Sequence, residues 1–140
     1  MQHVERHLVD THLWVAAAAA GLELFSSHAL GLPLLMAPAA LVAASTLLIY
    51  RADGWIDKDR PSRGVLPVVL ALGVFAWSWT LAPDAVRWLV GFGALPCLVY
   101  GWRWRGRRCL RELPGIKPFF VSGALIVSTI GIPCLWSTQG

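Results

Sequence analysis

Apolar residues in this chain come in long unbroken runs. They show neither the alternation of a half-buried strand nor the narrow stripe of a surface helix. Five runs approach the roughly 20 residues that a bilayer core asks of a helix. They are His12–Leu30, Leu32–Tyr50, Val65–Ala82, Ala85–Trp102 and Pro118–Trp136. Glu23, Ser26, Ser27 and His28 interrupt the first run, while the second and fifth are the cleanest. Proline and glycine mark the ends. Gly31 and Pro33 predict one turn, Pro83 and Asp84 another, and Pro114, Gly115 and Pro118 lead into the last run. Pro38, Pro96 and Pro133 fall inside runs, which a membrane helix tolerates when neighbouring groups satisfy the freed carbonyls. The pattern predicts an all-α integral membrane helical bundle of about five transmembrane helices in a single domain of 140 residues.

Composition strengthens that expectation. Apolar residues make up 56% of the chain and charged residues only 14%. A soluble domain carries about 25% charged residues, and one this small could not hide so much apolar surface. The formal charge of +4 raises the question of nucleic acid. Its placement argues against that partner, because ten of the twelve Lys and Arg sit in two short stretches between apolar runs. Eleven of the twelve Lys and Arg fall on one side of a five-span arrangement, and only Arg87 falls on the other. Basic loops stay in the cytoplasm, so the N-terminus is expected inside and the C-terminus outside. The expected location is the inner (plasma) membrane, multi-pass, with the lipid bilayer as partner. Trp14, Tyr50, Trp55, Tyr100, Trp102 and Trp104 would mark the inner interface, and Trp79, Trp88 and Trp136 the outer one. Small residues four apart, Ala17 with Gly21 and Ala124 with Ser128, offer close helix approach, although alanine-rich runs produce such pairs by chance.

Candidate chemistry is sparse. Cys97, Cys109 and Cys134 form neither a disulfide framework nor a zinc spacing. Cys109 follows Arg107 and Arg108, which favour a thiolate, but a bystander thiol in a loop is the plainer reading. His3 and His7 have the four-residue spacing of a helical metal pair, yet an amphipathic lead-in explains them as well. Glu23 is a carboxyl inside an apolar run. It is expected to face other helices or a cavity, unless the run is short and it lies near the end with His28.

The most informative stretch is Tyr50–Arg63, YRADGWIDKDRPSR. Asp53 and Asp57 are four apart and share a face if the helix continues. Two carboxylates on one face can hold a divalent cation that also meets a diphosphate, and Mg²⁺ suits such oxygen ligands. Asp59 joins them only if the helix ends near Lys58. Arg60 and Arg63 have the forked donors that diphosphate oxygens accept. The plain alternative is a charged loop whose acids and bases pair in water. The second basic stretch is Trp102–Pro118, WRWRGRRCLRELPGIKP, which is either a lid over a diphosphate or a basic surface against anionic lipid.

The run LLIYRADGWIDKDRPSR resembles the first aspartate motif of the UbiA superfamily of membrane prenyltransferases, closest to its divergent UbiA-like bacterial branch. The run LRELPGIKPFFVSGALIVSTIGIP resembles that branch's later Leu-Pro-Gly-x-Lys turn, which opens a membrane helix. Order and spacing of the two motifs agree with the branch, and the resemblance covers roughly Leu41 to Pro133. It implies prenyl transfer from an isoprenyl diphosphate to a lipophilic acceptor with the help of Mg²⁺. Asp53 and Asp57 would be catalytic and hold the metal, with Asp59 as a third ligand. Arg60, Arg63 and Lys117 would bind the diphosphate. The next four-residue step falls on Pro61, so Asp59 takes over after a helix break or the motif is degenerate. Family members are longer and carry a second aspartate motif. The expectation is therefore the first half of such an enzyme, completed by a second membrane half, a longer frame or a homo-oligomer. The alternative is a non-catalytic small membrane protein that keeps half of the fold.

Overall fold

The computed structural model describes residues 12–56, 65–101 and 122–138, and those residues are almost entirely helical. α1 covers Leu13–Ala29, α2 Met36–Ile56, α3 Leu66–Leu81 and α4 Asp84–Gly101. The last helix runs from residue 122 through a π-helical turn at Val127–Gly131 into α5, Ile132–Ser137. α2 packs against both α1 and α3, while the π turn and α5 lean on α1, and α4 meets α5.

Local chemistry explains the boundaries. Gly31 takes a left-handed φ of 68° just beyond α1, a conformation that costs glycine little. The turn there lets Gly31 N–H reach the His28 carbonyl at 3.1 Å and Leu32 N–H reach the Ser27 carbonyl at 2.9 Å, which satisfies carbonyls the helix leaves open. Residues 32–35 are not helical, so α2 starts at Met36, later than the apolar run that begins at Leu32. Arg87 ties the next corner. Its guanidinium donates to the Trp79 carbonyl at 3.2 Å, the Thr80 carbonyl at 3.2 Å and the Asp84 carboxylate at 3.0 Å. One side chain thus caps the end of α3 and anchors the start of α4. The π turn precedes Pro133, which has no N–H to give the preceding turn and whose ring crowds the carbonyl four residues back. Widening to five-residue bonds, as in Ile132 N–H to the Val127 carbonyl, relieves that crowding.

The core mixes alanines with larger apolar residues. Ala19, Leu41, Val42, Ala82, Val86, Ile132 and Trp136 form its larger cluster, and Ala16, Leu47 and Ala71 a smaller one. The stripe that α1 buries is Ala16, Ala19, Glu23 and Ser27. Ala17 and Gly21, the pair expected to admit a neighbouring helix, lie on the exposed side instead. Many large apolar side chains nonetheless face outward: Met36 is 72% exposed, Trp14 70% and Trp88 68%.

One expectation is corrected. Among the described residues no helix is long and apolar enough to cross a membrane, so the integral membrane bundle of five transmembrane helices is not supported. The inside–outside order built on those spans loses its footing too. α3 has 16 residues and α1 has 17. At about 1.5 Å per residue they rise about 24 and 26 Å, short of the roughly 30 Å bilayer core. α2 has the length, 21 residues, but Arg51 and Asp53 lie in its final turns. α4 begins with Asp84 and Arg87 in its first turn. The apolar runs are real, but the helices drawn from them are either too short or end in charge.

Candidate functional site

Two polar regions compete for the role of site. The first is the C-terminal end of α2. Asp53 lies within the helix, whose described backbone continues to Ile56. Asp57, Asp59, Arg60, Arg63 and Lys117 lie outside the described residues, as does the whole Trp102–Pro118 stretch. Arg51, one turn before the end of the helix, is almost fully buried at 1% exposure. Its place in the charged Tyr50–Arg63 stretch gives no sign of that burial. Nearby, the rings of His12 and Tyr50 meet with centroids 5.6 Å apart, which pins the start of α1 against α2 at this end.

The second region lies inside the bundle. Glu23 is 1% exposed, as expected of a carboxyl that cannot face an apolar exterior. Ser27, one turn on, donates to Glu23 Oε1 at 3.0 Å. Glu23 Oε2 is buried with no hydrogen-bond partner among the described residues. Burial pushes the Glu23 carboxyl above its ordinary value, and the Ser27 hydrogen bond pulls it part of the way back. Two further polar residues are buried in the same bundle. Ser78 is 0% exposed and its Oγ likewise has no partner among the described residues. Thr129 is buried in the π turn and donates to the Leu125 carbonyl at 2.7 Å.

The sequence reading singled out Glu23 but missed Ser78 and Thr129. A signal existed for Ser78. Ala71, Ser78 and Ala82 are seven and then four residues apart, which places small side chains on one face of α3. Thr129 had no comparable signal, because the π turn shifts the helical register just where it sits. His28 is exposed, close to the end of α1. Cys134 is a free thiol, partly buried in α5.

Compared with family models, curated proteins and solved structures, the chain matches none. No family is therefore assigned, and the resemblance to UbiA-like prenyltransferases rests on its two motifs alone.

Proposed function

We propose that the chain works against a lipid phase at the inner membrane and binds an isoprenyl diphosphate there, with the diphosphate at the polar end of α2. The observation that carries the lipid part is the number of large apolar side chains that face outward. Trp14, Phe25, Leu72, Trp77 and Trp88 are exposed, while the inside holds alanines and serines beside Leu41, Val42, Leu47, Ile132 and Trp136. A water-facing surface rarely carries so many large apolar side chains without a partner. Against lipid such side chains need no further cover.

The diphosphate part rests on residue chemistry at the end of α2. Asp53 sits on the helix, and Asp57 is its four-residue neighbour in sequence. Both offer hard oxygen donors, which fit Mg²⁺, with Asp59 as a third. Mg²⁺, when bound, supplies charge stabilisation to a departing diphosphate. Arg60, Arg63 and Lys117 bring the cations that diphosphate oxygens accept. Prenyl transfer to a lipophilic acceptor is proposed only together with a second acidic half, from a partner chain or another copy. Two aspartates account for one metal-binding face and no more.

The test uses the full chain reconstituted with lipid and titrated with farnesyl diphosphate, with and without Mg²⁺. Mg²⁺ is expected to raise the affinity by about tenfold or more. Replacing both Asp53 and Asp57 by Asn is expected to remove that gain. Binding that ignores both the metal and the substitutions would leave a non-catalytic protein with a basic, lipid-facing surface.

A further inference from the structure

Glu23 lies on the stripe Ala16, Ala19, Glu23 and Ser27 that α1 turns inward. α2, the π turn and α5 pack on α1. Ala19, one turn before Glu23, shares a cluster with Leu41 and Val42 of α2 and with Ile132 and Trp136 of α5. The carboxyl itself is 1% exposed. Ser27 donates to Oε1 at 3.0 Å, and Oε2 is enclosed without a hydrogen-bond partner among the described residues. A carboxylate there would hold a full charge on one hydrogen bond, well short of what its lone pairs accept in water.

Whether such a charge can stay depends on the cations around it. α1 and α2 run antiparallel: His12 meets Tyr50, Ala16 shares a cluster with Leu47, and Ala19 shares one with Leu41. Arg51, buried and rich in donors, lies one turn beyond Leu47. Glu23 lies two turns beyond Ala16 in the opposite direction. Four residues on one helix and seven on the other, at about 1.5 Å each, place the two about 16 Å apart along the helices, farther than an arginine side chain reaches. Arg51 is also engaged in an interaction of its own. Tyr50 and Asp53 share its end of α2.

The other elements bring no cation either. Residues 122–126 and the π turn carry no titratable side chain, and α5 carries only Cys134. α3 carries none. α4 has Asp84 and Arg87 at its start, with Cys97 and Tyr100 in its last two turns. The Arg87 guanidinium is committed to Trp79, Thr80 and Asp84. On α1, His12 precedes the first turn and His28 is exposed. Among the described residues, no cation meets Glu23.

A neutral carboxyl suits this place better than a charged one. It leaves one O–H without an acceptor, a smaller cost than an unpaired charge. A proton supplies that neutrality and needs no cavity. We propose that Glu23 is a proton-binding switch: protonated, it lets α1 close on α2 and the last helix, and release of the proton to solvent loosens that contact. Loosening gives the carboxylate the water that the closed face denies it. Burial raises the Glu23 value, so the closed form holds its proton beyond the ordinary carboxylate range. The switch is separate from the end of α2 and does not depend on the diphosphate reading.

The experiment follows backbone hydrogen exchange of the full chain in mild detergent, at about pH 5 and about pH 9, within and above the ordinary range of a carboxylate. Each rate is referred to that of the unfolded chain at the same pH, which leaves protection by structure alone. Protection of residues 16–27 and 127–136 is expected to fall by at least about tenfold from the lower to the higher pH, the factor that one unit of raised value supplies. Protection in Glu23→Gln should stay level, because the amide has no proton to lose. If Glu23→Gln does not fold, Glu23→Ala, equally without that proton, takes its place. Wild-type protection that is the same at both values would overturn the proposal. So would a fall that persists in the variant, or one that is equally large at the Asp84–Arg87 corner, which would mean unfolding of the whole chain.

Discussion

Glu23 and Arg87 show two ways of placing a charged side chain in an apolar protein. Arg87 stays at a corner, 38% exposed, and three of its nitrogens donate to oxygens of Trp79, Thr80 and Asp84. It satisfies helix-end carbonyls that would otherwise need water. Glu23 sits inside, and only one of its two oxygens has a partner among the described residues. Arg87 explains itself as structure. Glu23 does not, because burying a half-satisfied carboxyl costs stability and adds no packing that a leucine would not add better. The difference separates a polar group that builds the fold from one that the fold has been built around.

The largest effect should come from reversing the buried charge. Glu23→Lys places an ammonium where the local groups are Ser27 and apolar side chains. It is expected to cost about 3–5 kcal/mol, read as a collapse of the thermal or denaturant midpoint. A variant as stable as wild type would mean that Glu23 is not enclosed.

A milder change sharpens the comparison. The raised Glu23 value means that the folded chain holds this proton more tightly than the unfolded chain does. Its contribution to stability is full below the ordinary carboxylate range. That contribution is lost as pH rises from the unfolded value through the raised folded one. Glu23→Gln should therefore flatten the pH dependence of stability above about pH 5 and match the wild type in acid. Its gain near pH 8 should be on the order of 1–2 kcal/mol. A variant that keeps the wild-type slope would assign the slope to another group.

At the corner the effects shrink. Arg87→Ala removes two contacts to helix-end carbonyls and is expected to cost about 1 kcal/mol with no change in pH profile. Asp84→Asn keeps shape and exposes little, so it should change stability by at most about 0.5 kcal/mol. If Asp84→Asn cost more than Arg87→Ala, the ion pair rather than the carbonyl caps would hold the α3–α4 corner.

Helix positions were largely legible in the sequence, and their relation to a membrane was not. The runs His12–Leu30 and Val65–Ala82 became Leu13–Ala29 and Leu66–Leu81, because Gly31 and Pro83 end them by local chemistry alone. α2 shifted, since residues 32–35 stay outside the helix and the helix continues past Tyr50 into its charged end. Hydropathy counted apolar residues, but crossing a bilayer also needs length, and α1 and α3 lack it. Burial of Glu23 was legible from its apolar neighbours. Burial of Arg51 was not, because a cation at the end of a run looks the same whether it meets water or protein. The π turn left a trace only in Pro133, and the buried Thr129 hydroxyl could not be placed without the shifted register.

The proposed contact of the outward apolar side chains with lipid can be measured. Tryptophan fluorescence reports on this directly, since Trp14, Trp77 and Trp88 are exposed while Trp136 is buried at 7%. The full chain would be reconstituted in vesicles whose acyl chains carry bromine, which quenches only at contact, and compared with plain vesicles. Strong quenching is expected in the wild type. It should fall when Trp14, Trp77 and Trp88 are changed to Phe and stay when Trp136 alone is changed. Equal fluorescence in brominated and plain vesicles would contradict the account, and the outward apolar faces would then need a protein partner instead.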